Sequence, residues 1–309
     1  VGSTRHDPQA EVTRSVTANG ITLCYETSGD PAAEPLLMIM GLGTQLNGWD
    51  RGFVDALVDA GFFVIRYDNR DIGLSSRIEG SPDMPAIRAG DLSTLPYTVD
   101  DLAADAVGLL DALGIARAHV LGASLGGMIA QHVAIGWPER VLSLCSIMST
   151  TGDRAVGQAA PAVMEVMRLP APPTRDGVIE AAVERARMLA GSGFPFDEQA
   201  ARIRATVAYD RAHDPAARIR QSAAAVAAAA TDRTEALRGL RVPTVAIHGT
   251  DDRLIDLSGG RATADAVPGA WLEVVEGMGH GIVPGAWSQI ISAVRRNADR
   301  ATALPGDPT

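Results

Sequence analysis

Gly122-Ala123-Ser124-Leu125-Gly126 lies where an apolar run, His119 to Gly122, passes into a helix-patterned run, Leu125 to Ile135. That setting decides how the five residues are to be understood. A buried strand that turns sharply into a helix puts its central side chain at the tip of the turn, in a strained conformation. Gly122 and Gly126 suit the flanks, because a Cβ at either would meet neighbouring backbone. The turn lifts Ser124 to the carboxyl edge of a sheet and sets it at a helix N-terminus, whose free N–H groups favour developing negative charge.

The flanking sequence fits an alternation of strands and helices. Two short runs, Val12 to Thr17 and Ile21 to Glu26, surround Asn19-Gly20, the turn pair of a β-hairpin. Leu36 to Met40, Phe63 to Tyr67 and Val141 to Met148 are apolar runs suited to strands buried on both faces. Phe53 to Ala60 and Val99 to Leu113 carry helical spacing and stop at Gly61 and Gly114. This order predicts a mostly parallel, doubly wound sheet. From about Thr151 to Thr231 the rhythm changes to helical patterns broken by prolines, with Val163, Met167, Ile179, Val183, Ile203 and Val207 at helical intervals. Strands return at Thr244 to His248 and Trp271 to Val275, before a last helix from about Ala286 to Asn297. The expected division is a core over 1–150, a helical cap over 151–233, the rest of the core over 234–300 and a loose tail over 301–309.

A serine hydroxyl needs a base held in one tautomer before it can attack a carbonyl at neutral pH. Partners in the chain order serine, acid, histidine follow the last two strands: His248-Gly249-Thr250-Asp251-Asp252 and Gly277-Met278-Gly279-His280-Gly281. His280 is the expected base. Asp252, three residues after Gly249, is preferred as the acid, with Asp251 as the alternative. His6, His119, His132 and His213 have no such context, and His248 is expected to pack at a strand end. The oxyanion of a tetrahedral intermediate needs two amide donors. Leu125 N–H follows the nucleophile, and Leu42 N–H in Met40-Gly41-Leu42-Gly43 is the expected second.

Composition narrows the alternatives. Hydrophobic residues make up 46% of the 309, enough for a large core, and the formal net charge of −10 argues against a nucleic-acid partner. No apolar run of about 18 residues suggests a membrane span. The first ten residues lack the apolar stretch of a secretory signal, so a cytoplasmic setting is expected. Cys24 and Cys145 match no metal spacing and read as small buried hydrophobes. No His-Glu-x-x-His and no dinucleotide fingerprint is present, so neither metal nor cofactor is expected. The sequence gives no indication of oligomeric state.

Met40-Gly41-Leu42-Gly43, Arg66-Tyr67-Asp68-Asn69-Arg70-Asp71, Gly122-Ala123-Ser124-Leu125-Gly126 and Gly277-Met278-Gly279-His280 together resemble the α/β-hydrolase superfamily. Within it they look like the aclacinomycin methylesterase type, and are similar to the cofactor-free haloperoxidases and related esterases. The resemblance implies the α/β-hydrolase fold, a helical cap over a pocket, and ester hydrolysis through an acyl-enzyme. It also implies that Asp68 to Ser75 is a structural turn. One departure is Met40-Gly41, where many relatives carry His-Gly. Serine at the elbow excludes the aspartate-nucleophile chemistry of dehalogenases and epoxide hydrolases. The expected activity is hydrolysis of a small-molecule ester, moderately large and apolar or aromatic. Lactone, carbon–carbon or perhydrolytic chemistry by the same triad is the alternative, and a ligand receptor on a hydrolase fold is the non-enzymatic one. Arg154, Arg168, Arg175, Arg185 and Arg187 are the candidates for attracting an anion, although arginines on helix surfaces are usually just solvated.

Overall fold

A computed structural model describes residues 13–170 and 172–302. Val12, His6 and residues 303–309 of the expected tail lie outside the described residues. The chain runs β1 (Arg14–Ala18), β2 (Ile21–Ser28), β3 (Glu34–Ile39), α1 (Arg51–Asp59), β4 (Phe62–Tyr67), α2 (Met84–Arg88), α3 (Val99–Ala112), β5 (Ala118–Ala123), α4 (Leu125–Gly136) and β6 (Val141–Ile147). Four helices follow: α5 (Pro161–Met167), α6 (Arg175–Leu189), α7 (Glu198–Arg211) and α8 (Pro215–Ala229). The chain then completes α9 (Thr234–Arg238), β7 (Thr244–Gly249), α10 (Leu257–Ala266), β8 (Trp271–Val275) and α11 (Trp287–Thr302).

The strands form one sheet in the order β1-β2-β4-β3-β5-β6-β7-β8. β1 and β2 pair antiparallel across Asn19-Gly20, whose φ values of 48° and 76° are those a two-residue hairpin turn requires. β2 is antiparallel to β4, and from β4 to β8 every pair is parallel. Chain direction across the sheet reverses between β3 and β5, where open α/β sheets form ligand crevices. Ile39 at the end of β3 stands beside Gly122 of β5, so the loops that leave these strands start as neighbours.

Two apolar layers cover the sheet. On one face, Phe53, Val54 and Leu57 of α1 pack with Ile290, Ala293, Val294 and Ala298 of α11, whose intervals of three and four make a helical stripe. On the other, α3 and α4 bury Leu102, Ala106, Leu109, Leu110, Ile129 and Val133. Each large side chain withdrawn from water contributes roughly 1.5–3 kcal/mol. Thr98 caps α3 through reciprocal bonds with Asp101, and Asp50 caps α1 by accepting from Gly52 N. Cys24 and Cys145 are buried free thiols.

Helical spacing over Ile203 and Val207 does form a helix, α7, but both side chains are exposed and contribute no core stripe. α7 is held instead by polar contacts. Arg211 pairs with Asp68, and Arg220 of α8 pairs with Asp71. α10 shows no apolar run, because Gly259 and Gly260 occupy its inner face. A Cβ on Gly260 would lie 2.5 Å from His248 Nδ1. The last helix extends to Thr302, past the boundary expected for the tail.

Candidate active site

Ser124 sits between β5 and α4 with φ 57° and ψ −119°, a combination costing of order 1–3 kcal/mol for a residue with a side chain. Its surroundings force this bend. A Cβ on Gly122 would stand 1.9 Å from Gly126 O, and one on Gly126 would stand 2.0 Å from Ile39 O. Strand and helix can therefore meet only through two glycines. Ser124 N–H donates to Ile147 O on β6 at 2.9 Å, and Ser124 O accepts from Gly127 and Met128.

His280, on the loop after β8, places Nε2 2.9 Å from Ser124 Oγ and Nδ1 2.7 Å from Asp252 Oδ2. An ionised carboxylate can only accept, so Nδ1 carries the proton and Nε2 accepts from the serine hydroxyl. Asp252 is fixed in turn. Its Oδ1 accepts from Leu254 N at 2.9 Å and Ile255 N at 3.0 Å. Burial opposes its charge, but hydrogen bonds from His248 and His280 and the backbone of Ile255 outweigh that and hold the carboxyl far below its ordinary range. His248 donates Nε2–H to Ile255 O at 2.8 Å and lies 3.4 Å from Asp252 Oδ2, closing the ring of contacts behind the acid. Asp251 points elsewhere. Its Oδ2 accepts from Ser192 N at 2.7 Å and Ser192 Oγ at 2.5 Å.

The loop after β3 faces the elbow: a Cβ on Gly41 would lie 3.7 Å from Ser124 Oγ. Among the described residues neither Leu42 N–H nor Leu125 N–H donates to a protein acceptor, so both remain available at this edge. With methionine at position 40, other groups brace the loop. Asn69 Nδ2 donates to Met40 O at 3.1 Å, Gly43 N donates to Gln221 Oε1 at 2.6 Å, and Leu46 N donates to Asp68 Oδ1 at 2.7 Å. Asp68 to Ser75 is thus a supporting turn, with Asp68 Oδ2 also accepting from Leu74 N.

Some contacts had no sequence signal beyond isolated glycines or one amide. Gly193 N–H donates to Gly277 O at 2.9 Å, which lays the segment after α6 on the histidine loop. Gln221 on α8 reaches the loop after β3 from 178 positions away. No group of three or more His, Cys, Asp or Glu among the described residues could hold a metal ion, and no described helix is long and apolar enough to cross a membrane.

The family profile of the alpha/beta hydrolase fold matches residues 34–284. Rhodomycin D methylesterase DauP of Streptomyces sp. (strain C5) is 33% identical, with 94% of this chain and 99% of the relative covered. 3-Oxoadipate enol-lactonase 2 of Acinetobacter baylyi is 28% identical over 85% of this chain and 88% of its own. Among solved structures, 2-hydroxy-6-oxo-6-phenylhexa-2,4-dienoate hydrolase of Rhodococcus sp. strain RHA1 superposes with a TM-score of 0.70 at 19% identity, covering 95% of this chain and all (100%) of that one. With the elbow, the switch in chain direction and these likenesses together, the chain belongs to the alpha/beta hydrolase fold family.

Proposed function

We propose that this chain is a serine esterase that cleaves a carboxylic ester of a moderately large apolar or aromatic small molecule. The observation that carries the reading is the continuous hydrogen-bonded line from Ser124 Oγ through His280 to Asp252, at 2.9 Å and 2.7 Å. The likeness to a rhodomycin D methylesterase supports the same reaction class.

In this mechanism Ser124 Oγ bonds to the ester carbonyl carbon as its proton passes to His280 Nε2. The carbonyl oxygen gains the electron pair and takes hydrogen bonds from Leu42 N–H and Leu125 N–H, each worth about 3 kcal/mol of barrier. His280 then gives its proton to the departing alkoxide, leaving an acyl-serine. Water, deprotonated by the same nitrogen, releases the acid and restores Ser124. Asp252 keeps the imidazole in the reactive tautomer. Residues 151–233 serve as a cap over the pocket, and a cytoplasmic setting accords with two free thiols.

The test uses 4-nitrophenyl butyrate and a fluorophosphonate probe. Ser124→Ala is expected to lose turnover about 10⁴-fold or more, and the intact protein to gain one phosphonyl group on Ser124. Undiminished activity in the alanine variant overturns the reading. A second reaction keeps the same residues but opens an enol-lactone, and the 28% identity to such a lactonase favours including one in the substrate panel.

A further inference from the structure

His248, the penultimate residue of β7, is wholly enclosed. Packing at a strand end accounts for the space it fills but not for a polar ring in that space. Its Nε2–H donates to Ile255 O at 2.8 Å, which fixes the tautomer and leaves Nδ1 as an acceptor. Among the described residues Nδ1 finds no donor, because α10 crosses it with bare backbone. A Cβ on Gly260 would lie 2.5 Å from Nδ1 and 2.9 Å from the Cβ of the histidine. A buried acceptor with no donor is unfavourable, and an apolar side chain of similar size would avoid it. What the imidazole supplies at this place, and an apolar side chain cannot, is the Nε2–H.

That hydrogen has a second acceptor. Nε2 lies 3.4 Å from Asp252 Oδ2, so the donor is shared in a three-centre bond, with its short branch to Ile255 O and its long branch to the carboxylate. An ionised carboxylate offers about four acceptor sites. Leu254 N and Ile255 N occupy Oδ1, and His280 Nδ1 occupies one site on Oδ2. His248 takes the last. Two imidazoles thus meet on one oxygen, one carried by a loop and the other by a strand paired on both sides, with β6 and β8. Among the described residues, Asp252 is the only charged group in contact with either ring. Asp251 turns to Ser192, β8 sets Val274 beside His248, and Arg253 of the loop and Arg261 and Asp265 of α10 are exposed.

We propose that His248 is a positioning residue, whose Nε2–H fixes the rotation of the Asp252 carboxylate and draws on the Oδ2 charge that would otherwise fall wholly on His280. The inference rests on the esterase reading and adds the strand residue that stands behind its triad. Two effects follow from the geometry. Without the donor the carboxylate rocks about its Cβ–Cγ bond, and the imidazole it holds loses alignment with Ser124. Oδ2 also becomes a stronger partner for the imidazolium, so His280 keeps its proton to higher pH. The first effect slows turnover, and the second moves the acid limb of the pH profile upward. A side chain that only fills space does neither.

The experiment compares His248→Met, which fills a similar volume without a donor, with His248→Gln, whose amide sets an N–H close to the Nε2 position. With 4-nitrophenyl butyrate, His248→Met is expected to lower kcat about 10- to 100-fold with KM little changed. The acid limb of its kcat/KM profile, which reports the base of the free enzyme, should rise by about half a pH unit or more. His248→Gln should recover most of kcat and return the limb toward the parent. In a folded methionine variant, a kcat within twofold of the parent or an acid limb that does not move overturns the proposal. Equal losses in the two variants overturn it as well. Nitrogen-15 NMR of the parent keeps the test open if His248→Met does not fold: His248 should be the Nε2–H tautomer at neutral pH, and the Nδ1–H tautomer overturns the proposal. If the parent cleaves no ester and Ser124 takes no phosphonyl group, the esterase reading fails by itself. His248 is then judged by the midpoint of the His280 NMR titration, which should be higher in His248→Met than in the parent, and an unmoved midpoint overturns the proposal.

Discussion

The backbone N–H of His280 donates to Leu189 O at 2.8 Å, so the imidazole is suspended from the end of α6 as well as from its own loop. The contact is close along its length. A Cβ on Gly279 would lie 2.1 Å from Leu189 O, and one on Gly191 would lie 2.0 Å from Gly277 O. Gly279→Ala is expected to push the two segments apart and displace the ring. Because a shift of about 1 Å can cost around 100-fold, kcat for 4-nitrophenyl butyrate should fall by that order, and phosphonylation of Ser124 should slow in parallel. Full activity in a folded variant would show that the tether does not position the base.

Asp251 and Asp252 are adjacent in sequence and opposite in direction, so their asparagine variants should separate cleanly. Asp252→Asn leaves His280 Nδ1 facing an amide and favours the wrong tautomer, with an expected kcat loss of roughly 10⁴-fold. Asp251→Asn loosens the bonds from Ser192 and Thr250, and a loss of less than about tenfold is expected from a displaced but intact triad. Equal losses would reassign the acid.

His119 gives a pH signature of stability. It is buried beside Ser143 and Phe62, and burial pushes its pKa down to about 4 from 6.5. Between those values the unfolded chain binds a proton that the folded chain refuses. Stability from this residue is therefore full above about pH 6.5 and declines as pH falls toward 4, by up to roughly 3 kcal/mol. His119→Gln should show a smaller drop in melting temperature between pH 7.5 and pH 5 than the parent. An identical drop would assign the acid sensitivity to other groups.

Two glycines of α4 should respond oppositely to alanine. At Gly126 the new Cβ would meet Ile39 O at 2.0 Å, and a loss of about 3 kcal/mol or more is expected in urea unfolding. At Gly136 nothing lies within 4 Å, so alanine should be neutral or stabilise by up to about 1 kcal/mol. A tolerated alanine at 126 would mean that the elbow can relax, contrary to the close approach described.

Much of this architecture is visible in local pattern, and the remainder is not, for identifiable reasons. Asn19-Gly20 marks a hairpin because both residues tolerate positive φ, and the paired glycines around Ser124 mark a bend that other side chains would block. Chain order sets Asp252 and His280 on loops after the last two strands, where they approach Ser124 in space. α10 is silent because it meets His248 through glycines, so no apolar stripe announces it. Ile203 and Val207 have a helical interval but face water, since periodicity fixes a face and not what covers it. The reach of Gln221 to Gly43, and of Leu189 to His280, depends on tertiary approach that no short window of sequence contains.

The pairing of Arg211 with Asp68 and of Arg220 with Asp71 also restricts how the molecule can breathe. Both carboxylates are completely enclosed, and pulling a guanidinium away from either would strand a buried charge at a cost of about 3–5 kcal/mol each. α7 and α8 are thus pinned to one turn, and the same Asp68 takes Leu46 N–H through its other oxygen, so a strain on α7 is felt directly by the loop bearing Leu42.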